Sequence, residues 1–394
     1  MNSIERLIQE NQTAFYLFDV AELTERIAYL RSALPEEVAL CYAVKANPFL
    51  ARELIGTIPR FELCSPGEVE ICRAMGAPSQ GMVISGVYKT PAFIEALVAD
   101  ASVTPIYTVE SLEQYALFRQ LAKRYHKTLP LLLRLTNGSQ FGINAEEIEA
   151  IVARRRETPE VELLGIQFFS GTQKSSLKKL KREVEKLDDF LTRLKEKHGF
   201  IVRELEYGPG FPVAYFQSDQ LDEPALLAGF SALLQKMVNH PKLTLELGRS
   251  IAASCGSYFT HIVDLKRNQG QNYALVDGGM HHLVYFGQYM AMKSPFFHIW
   301  GKENQPAIDQ WNICGSLCSM NDVLVKQSPL PDLAIGDVLR FENVGAYCMT
   351  EGISLFLSRE IPAIYLRLTN GEIVQVRKAF DTATLNQPNY ERKG

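Results

Sequence analysis

No stretch of about 18 apolar residues occurs in the 394-residue chain, so no membrane-spanning helix is expected. The N-terminal segment MNSIERLIQENQ carries charged and amide residues where a signal peptide needs an apolar run, so the expectation is a cytoplasmic protein without a membrane partner. An excess of one charge is also missing: 41 Lys and Arg face 45 Asp and Glu, a formal net charge of -4, with neither a basic patch nor an acidic tail. Nucleic acid is therefore not an expected partner. Cysteine is sparse: seven residues, an odd number without a CxxC pair, suit reduced thiols better than a disulfide framework or a zinc knuckle. His281 and His282 are adjacent, but no further His or Cys lies at ligand spacing, so no metal is expected. No GxGxxG opens a helix, which excludes a dinucleotide fingerprint. Short repeats and low-complexity segments are absent, and with them a solenoid or a disordered tail.

What is present is length and alternation. The chain exceeds one average domain, so two domains, or one barrel with an appendage, are expected. Eight short β-rich runs occupy the first 250 residues: 38–44, 60–64, 81–85, 104–108, 130–135, 162–169, 203–207 and 243–247. Helical patterns separate them. In SSLKKLKREVEKLDDFLTRLKEKHG, Leu177, Leu180, Val184, Leu187, Leu191 and Leu194 fall at spacings of three and four, and Gly199 follows as a stop. Strands alternating with helices favour parallel pairing, and eight such units predict an α/β fold with a (β/α)8 TIM-like barrel. An open doubly wound sheet fits the same alternation. Beyond residue 255, runs such as YFTHIVDL, NYALVDGG, DVLRFENVG, PAIYLRL and EIVQVRK come without long helices. They predict a second, all-β, β-barrel-like domain over 255–394, joined by 1–16, beside a barrel over 17–254.

In a parallel barrel the active site forms at the C-terminal ends of the strands, and Lys45, in CYAVKANP, stands where the first strand ends. A lone lysine at a strand end is ordinarily a solvated rim residue. Here Ser65, Arg134, Phe169, Gly208, Gly210, Glu246 and Arg249 fall on the same rim, with Arg134 the expected substrate-facing cation. The two glycines of YGPGFP let backbone N–H groups approach an anion, and ELGRS adds Gly248 and Arg249 after the next strand. Alone, Gly-Pro-Gly is an ordinary tight turn. A lysine able to form a Schiff base, a phosphate cradle, an aromatic cover for a ring and a carboxylate for a pyridinium nitrogen together describe pyridoxal 5'-phosphate.

These motifs resemble those of the alanine-racemase-fold amino-acid decarboxylases, which include the diaminopimelate, ornithine and arginine decarboxylases, over nearly the whole chain. YAVKAN resembles the Schiff-base lysine motif, which implies that role for Lys45. CSPGEVE resembles the segment that places Ser65 and Glu68 near the cofactor, and SQFGI is similar to the family's SKFGI. ELGR is similar to EPGR, which implies Glu246 at the pyridine nitrogen and Arg249 near the phosphate. GSLCSMNDVL resembles the family's GPLCESGDVL, and VGAYCMT resembles its GAY motif, which implies Tyr347 at the phosphate. The resemblance further implies that Cys318 acts from the partner subunit of a homodimer with shared active sites and helps return a proton to Cα; otherwise it is a buried, small apolar residue. Racemases of this fold place an arginine at the ring nitrogen, so a glutamate there implies an electron-sink reaction, decarboxylation.

Departures from the pattern narrow the substrate. Phe169 stands where the family has a stacking histidine, Gln140 replaces the lysine of SKFGI, Pro209 replaces the middle glycine of a triplet and Leu247 replaces the proline of EPGR. A phenyl ring stacks but brings no proton chemistry. Ser319 follows Cys318 where the diamino-acid decarboxylases carry an acidic residue, which implies an altered distal pocket. The leading expectation is a decarboxylase acting on an amino-acid moiety of a larger or acidic molecule, such as a citrate-conjugated diamino acid in siderophore biosynthesis or a carrier-linked glutamyl group. The alternatives are a diaminopimelate, ornithine or lysine decarboxylase, and a catalytically silent regulatory paralogue.

Overall fold

The computed structural model describes residues 3–388. The chain divides into two compact units, one of Met1–Arg26, Val213–Gln220 and Ala252–Gly394, the other of Ile27–Pro212 and Leu221–Ile251. These bounds differ from the expected division at residues 17 and 254. The reason is β1 (Phe15–Asp19), which pairs antiparallel with the strand over Gly256–Asn268 and parallel with the strand over Ala363–Arg367.

The barrel unit contains β2 (Ala39–Ala43), β3 (Arg60–Leu63), β4 (Met82–Ile84), β5 (Ile106–Val109), β6 (Leu129–Arg134), β7 (Val161–Phe169), β8 (Glu204–Gly208) and β9 (Lys242–Leu247). Each pairs in parallel with the next and β9 returns to β2, so the barrel is closed. The doubly wound alternative is thereby removed. Strands buried on both faces read as continuous apolar runs, which is why a charged residue inside one is informative. The helix Leu177–His198 buries Leu180, Val184, Leu187, Phe190, Leu191 and Leu194 on one stripe. It ends at Gly199, whose φ of 57° supplies the left-handed cap.

The second unit holds β1 with β10 (Gly256–Asn268), β11 (Gln271–Val276), β12 (Phe297–Ile299), β13 (Asp309–Cys314), β14 (Val323–Leu330), β15 (Val338–Glu342), β16 (Ala363–Arg367) and β17 (Ile373–Arg377). They form a nine-stranded sheet in the order β14-β13-β11-β10-β1-β16-β17, with β15 pairing β10 and β12 off that path. Phe15 stacks on Phe259 across the β1–β10 ladder, ring centroids 4.8 Å apart, in a core with Leu7, Leu17, Val338 and Ala363. Burying a phenyl ring in this way contributes about 2–3 kcal/mol. Val213–Gln220 joins the same unit through the Phe216–Pro295 bridge and the Gln217 N–H to Ser294 carbonyl bond of 2.9 Å. Among the described residues no helix is long and apolar enough to cross a membrane.

Candidate active site

Lys45 lies in a single 3-10 turn, Val44–Ala46, directly after β2. The chain turns here because Asn47 caps the next turn, accepting a hydrogen bond from the Phe49 N–H at 3.1 Å, and Pro48 has no N–H with which to extend a strand. Tyr42 anchors the turn from below by donating to the Asn47 carbonyl at 2.9 Å. Lys45 Nζ donates to Glu62 Oε2 at 2.7 Å, lies 3.8 Å from Glu246 Oε1 and 3.5 Å from Cys64 Sγ. The Lys45 side chain is 41% exposed, whereas those of Glu62 and Glu246 are 3% and 7% exposed. A solvated rim lysine would not be held between two buried carboxylates.

The carboxylates come from β3 and β9. Register places Ala43 beside Glu62 and Cys41 beside Glu246, so both neighbours of β2 point an acid at its end. Gln167 on β7 donates to Glu246 Oε2 at 2.9 Å and fixes its orientation. Cys64 donates its thiol hydrogen to Glu62 Oε1 at 2.9 Å, and its backbone N–H is held by Glu68 Oε2 at 2.6 Å. Glu206 on β8 is fully buried; neither of its oxygens has a hydrogen-bond partner among the described residues, and Arg60 lies 3.7 Å away.

Charge follows from this crowding. Burial and the nearby Glu62 charge push the Glu246 carboxyl up to about 7, against the pull of Lys45 and Arg134 and the hydrogen bond from Gln167. Burial alone would raise Glu62 too, but the Lys45 ammonium, the bonds from Cys64 and Lys45 and the charge of Arg134 bring it below the ordinary carboxylate value. Burial and the Glu246 charge push Glu206 well above that value. Burial and the Glu62 charge push the Cys64 thiol up, so it is a neutral donor.

The expected residues of the barrel unit occupy the same end of its strands. Gly208 closes β8 against Phe169: a Cβ there would stand 2.6 Å from Phe169 Cδ2. Gly210, at φ 65°, leaves no room for a Cβ against the Gly171 carbonyl. Both positions thus present bare backbone. Arg249 opens the short helix Arg249–Ala252; its Nε donates to Thr172 Oγ1 at 3.3 Å, and the Gly248 carbonyl accepts from Ile251. Ser65 caps the helix Pro66–Ala74, its Oγ accepting from the Glu68 N–H at 3.2 Å. Arg134 is buried, donates to Glu110 at 2.9 Å and lies 4.8 Å over the Phe141 ring.

The other expected residues belong to the second unit. Cys318 and Ser319 lie in the turn between β13 and β14, where the Ser319 N–H bonds the Leu317 carbonyl at 2.8 Å and its Oγ accepts from Asn321 at 3.3 Å. Asp322 braces that turn through the N–H groups of Met280 and Leu317. Cys318 is exposed, which removes the reading of a buried packing thiol. Tyr347 adopts a left-handed φ of 66° after β15. His282 is buried between the Tyr258 hydroxyl at 2.9 Å and the Glu360 carbonyl at 2.8 Å, with the His281 ring 3.7 Å away. Among the described residues no cluster of His, Cys, Asp or Glu forms a metal site.

Sequence reasoning missed Glu62, Cys64, Gln167, Glu206 and Lys174. Lys174 is buried beside the Gly210 turn, bonded to Glu183 at 2.6 Å and Ser170 at 2.8 Å. The signal for Glu62 and Glu206 was an acid inside a doubly buried strand, RFEL and RELEY, where charge is rarely placed without a purpose.

The model of the pyridoxal-dependent decarboxylases' pyridoxal binding domain matches residues 20–253. Among curated relatives, the L-glutamyl-[BtrI acyl-carrier protein] decarboxylase of Niallia circulans is 26% identical over 95% of this chain and 93% of its own length. The diaminopimelate decarboxylase of Aquifex aeolicus is 25% identical over 99% and 94%. The 2-[(L-alanin-3-ylcarbamoyl)methyl]-2-hydroxybutanedioate decarboxylase of Staphylococcus aureus is 27% identical over 93% and 97%. In fold, the diaminopimelate decarboxylase of Helicobacter pylori complexed with L-lysine superposes with a TM-score of 0.84, covering 97% of this chain and 98% of that one at 22% identity.

Proposed function

The chain belongs to the pyridoxal-dependent decarboxylases and acts as an amino-acid decarboxylase; within that activity we propose a substrate whose amino-acid moiety is tethered to a larger or acidic group. The observation that supports the chemistry is the amine of Lys45 held between Glu62 and Glu246. The bare backbone at Gly208 and Gly210 fits a phosphate, and a primary amine with a buried carboxylate nearby fits pyridoxal phosphate. Bound there, the cofactor supplies the electron sink for the pair left at Cα when the carboxylate departs.

In this reading Lys45 is the Schiff-base lysine and Glu62 holds its proton. Glu246, oriented by Gln167, would pair with the ring nitrogen and favour its protonated form. Within the barrel unit, Gly208, Gly210, Gly248 and Arg249 would hold the phosphate, with Ser65 at its rim, and Phe169 would cover the ring. Arg134 faces the substrate, and Cys318 returns a proton to Cα from the partner subunit of a homodimer.

The tether rests on Ser319. An ammonium taken out of water needs a charged or multiply hydrogen-bonding partner, and a lone hydroxyl supplies one acceptor. The Ser319 hydroxyl is moreover engaged in its own turn. The names of two relatives describe an amino-acid unit joined to a carrier protein or to a hydroxybutanedioate. A diaminopimelate, ornithine or lysine decarboxylase is the second reading, favoured by relatives named for the first of these. The intact Lys45–Glu246 arrangement disfavours a silent paralogue.

The test is kcat/KM for free diaminopimelate, ornithine and lysine beside a citrate amide of a diamino acid and a carrier-linked glutamyl group, with Ser319→Glu as control. Efficient release of carbon dioxide from any free diamino acid by the wild-type protein would install the second reading. A tethered substrate at least about a hundredfold better, with Ser319→Glu shifting preference back, supports the first.

A further inference from the structure

Cys64 is half-buried at the end of β3, and its thiol closes a three-membered contact with the residues that matter most: Sγ donates to Glu62 Oε1 at 2.9 Å while Lys45 Nζ lies 3.5 Å from Sγ and 2.7 Å from Glu62 Oε2. The two oxygens of one carboxylate are thus divided between a cation and a thiol. The neighbouring strand residue Leu63 is fully buried, whereas Cys64 keeps partial exposure at the strand end. Cys64 is also held from behind, since Glu68 takes its backbone N–H at 2.6 Å and is itself fixed by the Ser65 cap.

We propose that Cys64 is a positioning residue for the Lys45–Glu62 pair: by occupying Oε1 it draws charge from the carboxylate and so sets how firmly Glu62 holds the proton on the Lys45 nitrogen. This rests on Lys45 being the cofactor lysine. The physical step is simple. A donor on one oxygen of a carboxylate stabilises its charge and weakens its hold on a cation at the other oxygen. The high-lying thiol remains a donor throughout the working range. The other charges that bear on the cluster are Glu68 from the helix Pro66–Ala74, Glu246 on β9, Glu206 on β8 with Arg60, Arg134 on β6 with Glu110, and the buried Lys89 beyond β4. None of them touches Oε1 of Glu62 in the way the thiol does.

The experiment measures the pH midpoint of the Lys45 nitrogen in two ways: acetic anhydride labelling of Lys45 in the full-length cofactor-free protein, read by peptide mass spectrometry, and the pH profile of near-visible absorbance in the cofactor-loaded protein. Cys64→Ala is expected to raise both midpoints by about half a pH unit or more, and Cys64→Ser to restore them, because a hydroxyl donates to the same oxygen. In a Glu62→Gln background the Cys64→Ala change is expected to move neither. A midpoint within about 0.2 unit of wild type in Cys64→Ala, or serine behaving as alanine, or a full shift persisting in Glu62→Gln, overturns the proposal. Should Cys64→Ala fail to fold, Cys64→Ser and Cys64→Val decide it by the same criteria. Borohydride labelling of a lysine other than Lys45 would instead overturn the functional reading beneath it, so the two failures are distinguishable.

Discussion

Lys45 and Glu62 form an ion pair at 2.7 Å, closer by more than an ångström than Lys45 and Glu246 at 3.8 Å. The acid of β3 is thus the closer partner of the lysine, while the acid of β9 is oriented by Gln167 and has a raised affinity for protons.

Borohydride reduction of the yellow, cofactor-loaded protein should fix the cofactor to Lys45, because this amine ends a barrel strand among the other site residues. Peptide mapping checks it. Label on another lysine, or on none, removes the barrel reading of CYAVKANP.

Glu246→Gln should retain cofactor, since the phosphate contacts proposed for Arg249 and the Gly208–Gly210 backbone do not involve Glu246, while turnover should fall by about a hundredfold or more. Spectroscopic titration of cofactor and steady-state rates measured together separate the two effects. Near-normal turnover would rule out the electron-sink role.

The cofactor-free protein should lose stability as pH rises toward neutrality. Glu246 has its value raised from 4.5 to about 7 on folding, so the folded state binds the extra proton through that window; the stabilisation is complete below about 4.5 and gone above about 7. Its ceiling is about 3 kcal/mol. Glu62, lowered on folding, works in the opposite sense, adding stability above the ordinary carboxylate range that is lost on acidification. Urea unfolding at several pH values should show a falling slope in wild type and a shallower one in Glu246→Gln, where the raised Glu206 still contributes in the same sense.

If Cys318 serves a neighbouring subunit's site, mixing inactive Lys45→Ala and inactive Cys318→Ala proteins should restore part of the activity in mixed dimers. Activity assayed after verified subunit exchange decides it. A mixture that stays inactive places Cys318 in its own subunit's site or outside catalysis.

Phe15→Ala should destabilise the sheet unit by about 3–5 kcal/mol, because it empties the stack on Phe259 and the core shared with Leu7 and Ala363. Denaturant unfolding provides the measure. A loss below about 1 kcal/mol would show that β1 contributes little to that core.

The barrel was legible because its signals are local. All eight apolar runs are strands displaced by at most a few residues, and the helix Leu177–His198 with its Gly199 stop reads directly from spacing. In the sheet unit, β13 and β14 escaped detection because register shifts near Trp311, Ile313 and Cys314 break the alternation that marks a strand, and β12 is only three residues long. Of the candidate site, Lys45 and Glu246 were read from motifs, and the structure brings them within 3.8 Å. Glu62, Cys64 and Gln167 were not, since their meeting depends on the pairing of Ala43 with Glu62 and of Cys41 with Glu246, a registry between strands that no single stretch encodes.

The placing of β1 between β10 and β16 has a bearing on how the chain is made. Asp19 and its partner Arg367 are 348 positions apart, so a ribosome working at roughly 5–20 residues per second needs about 20–70 s to deliver the second after the first. During that interval the barrel's strands emerge in order and can close among themselves, whereas the first strand synthesised waits with both edges open until β10 and then β16 arrive. Premature termination before residue 363 therefore leaves β1 bare along one side, an edge of five mostly apolar residues suited to pairing with another nascent chain.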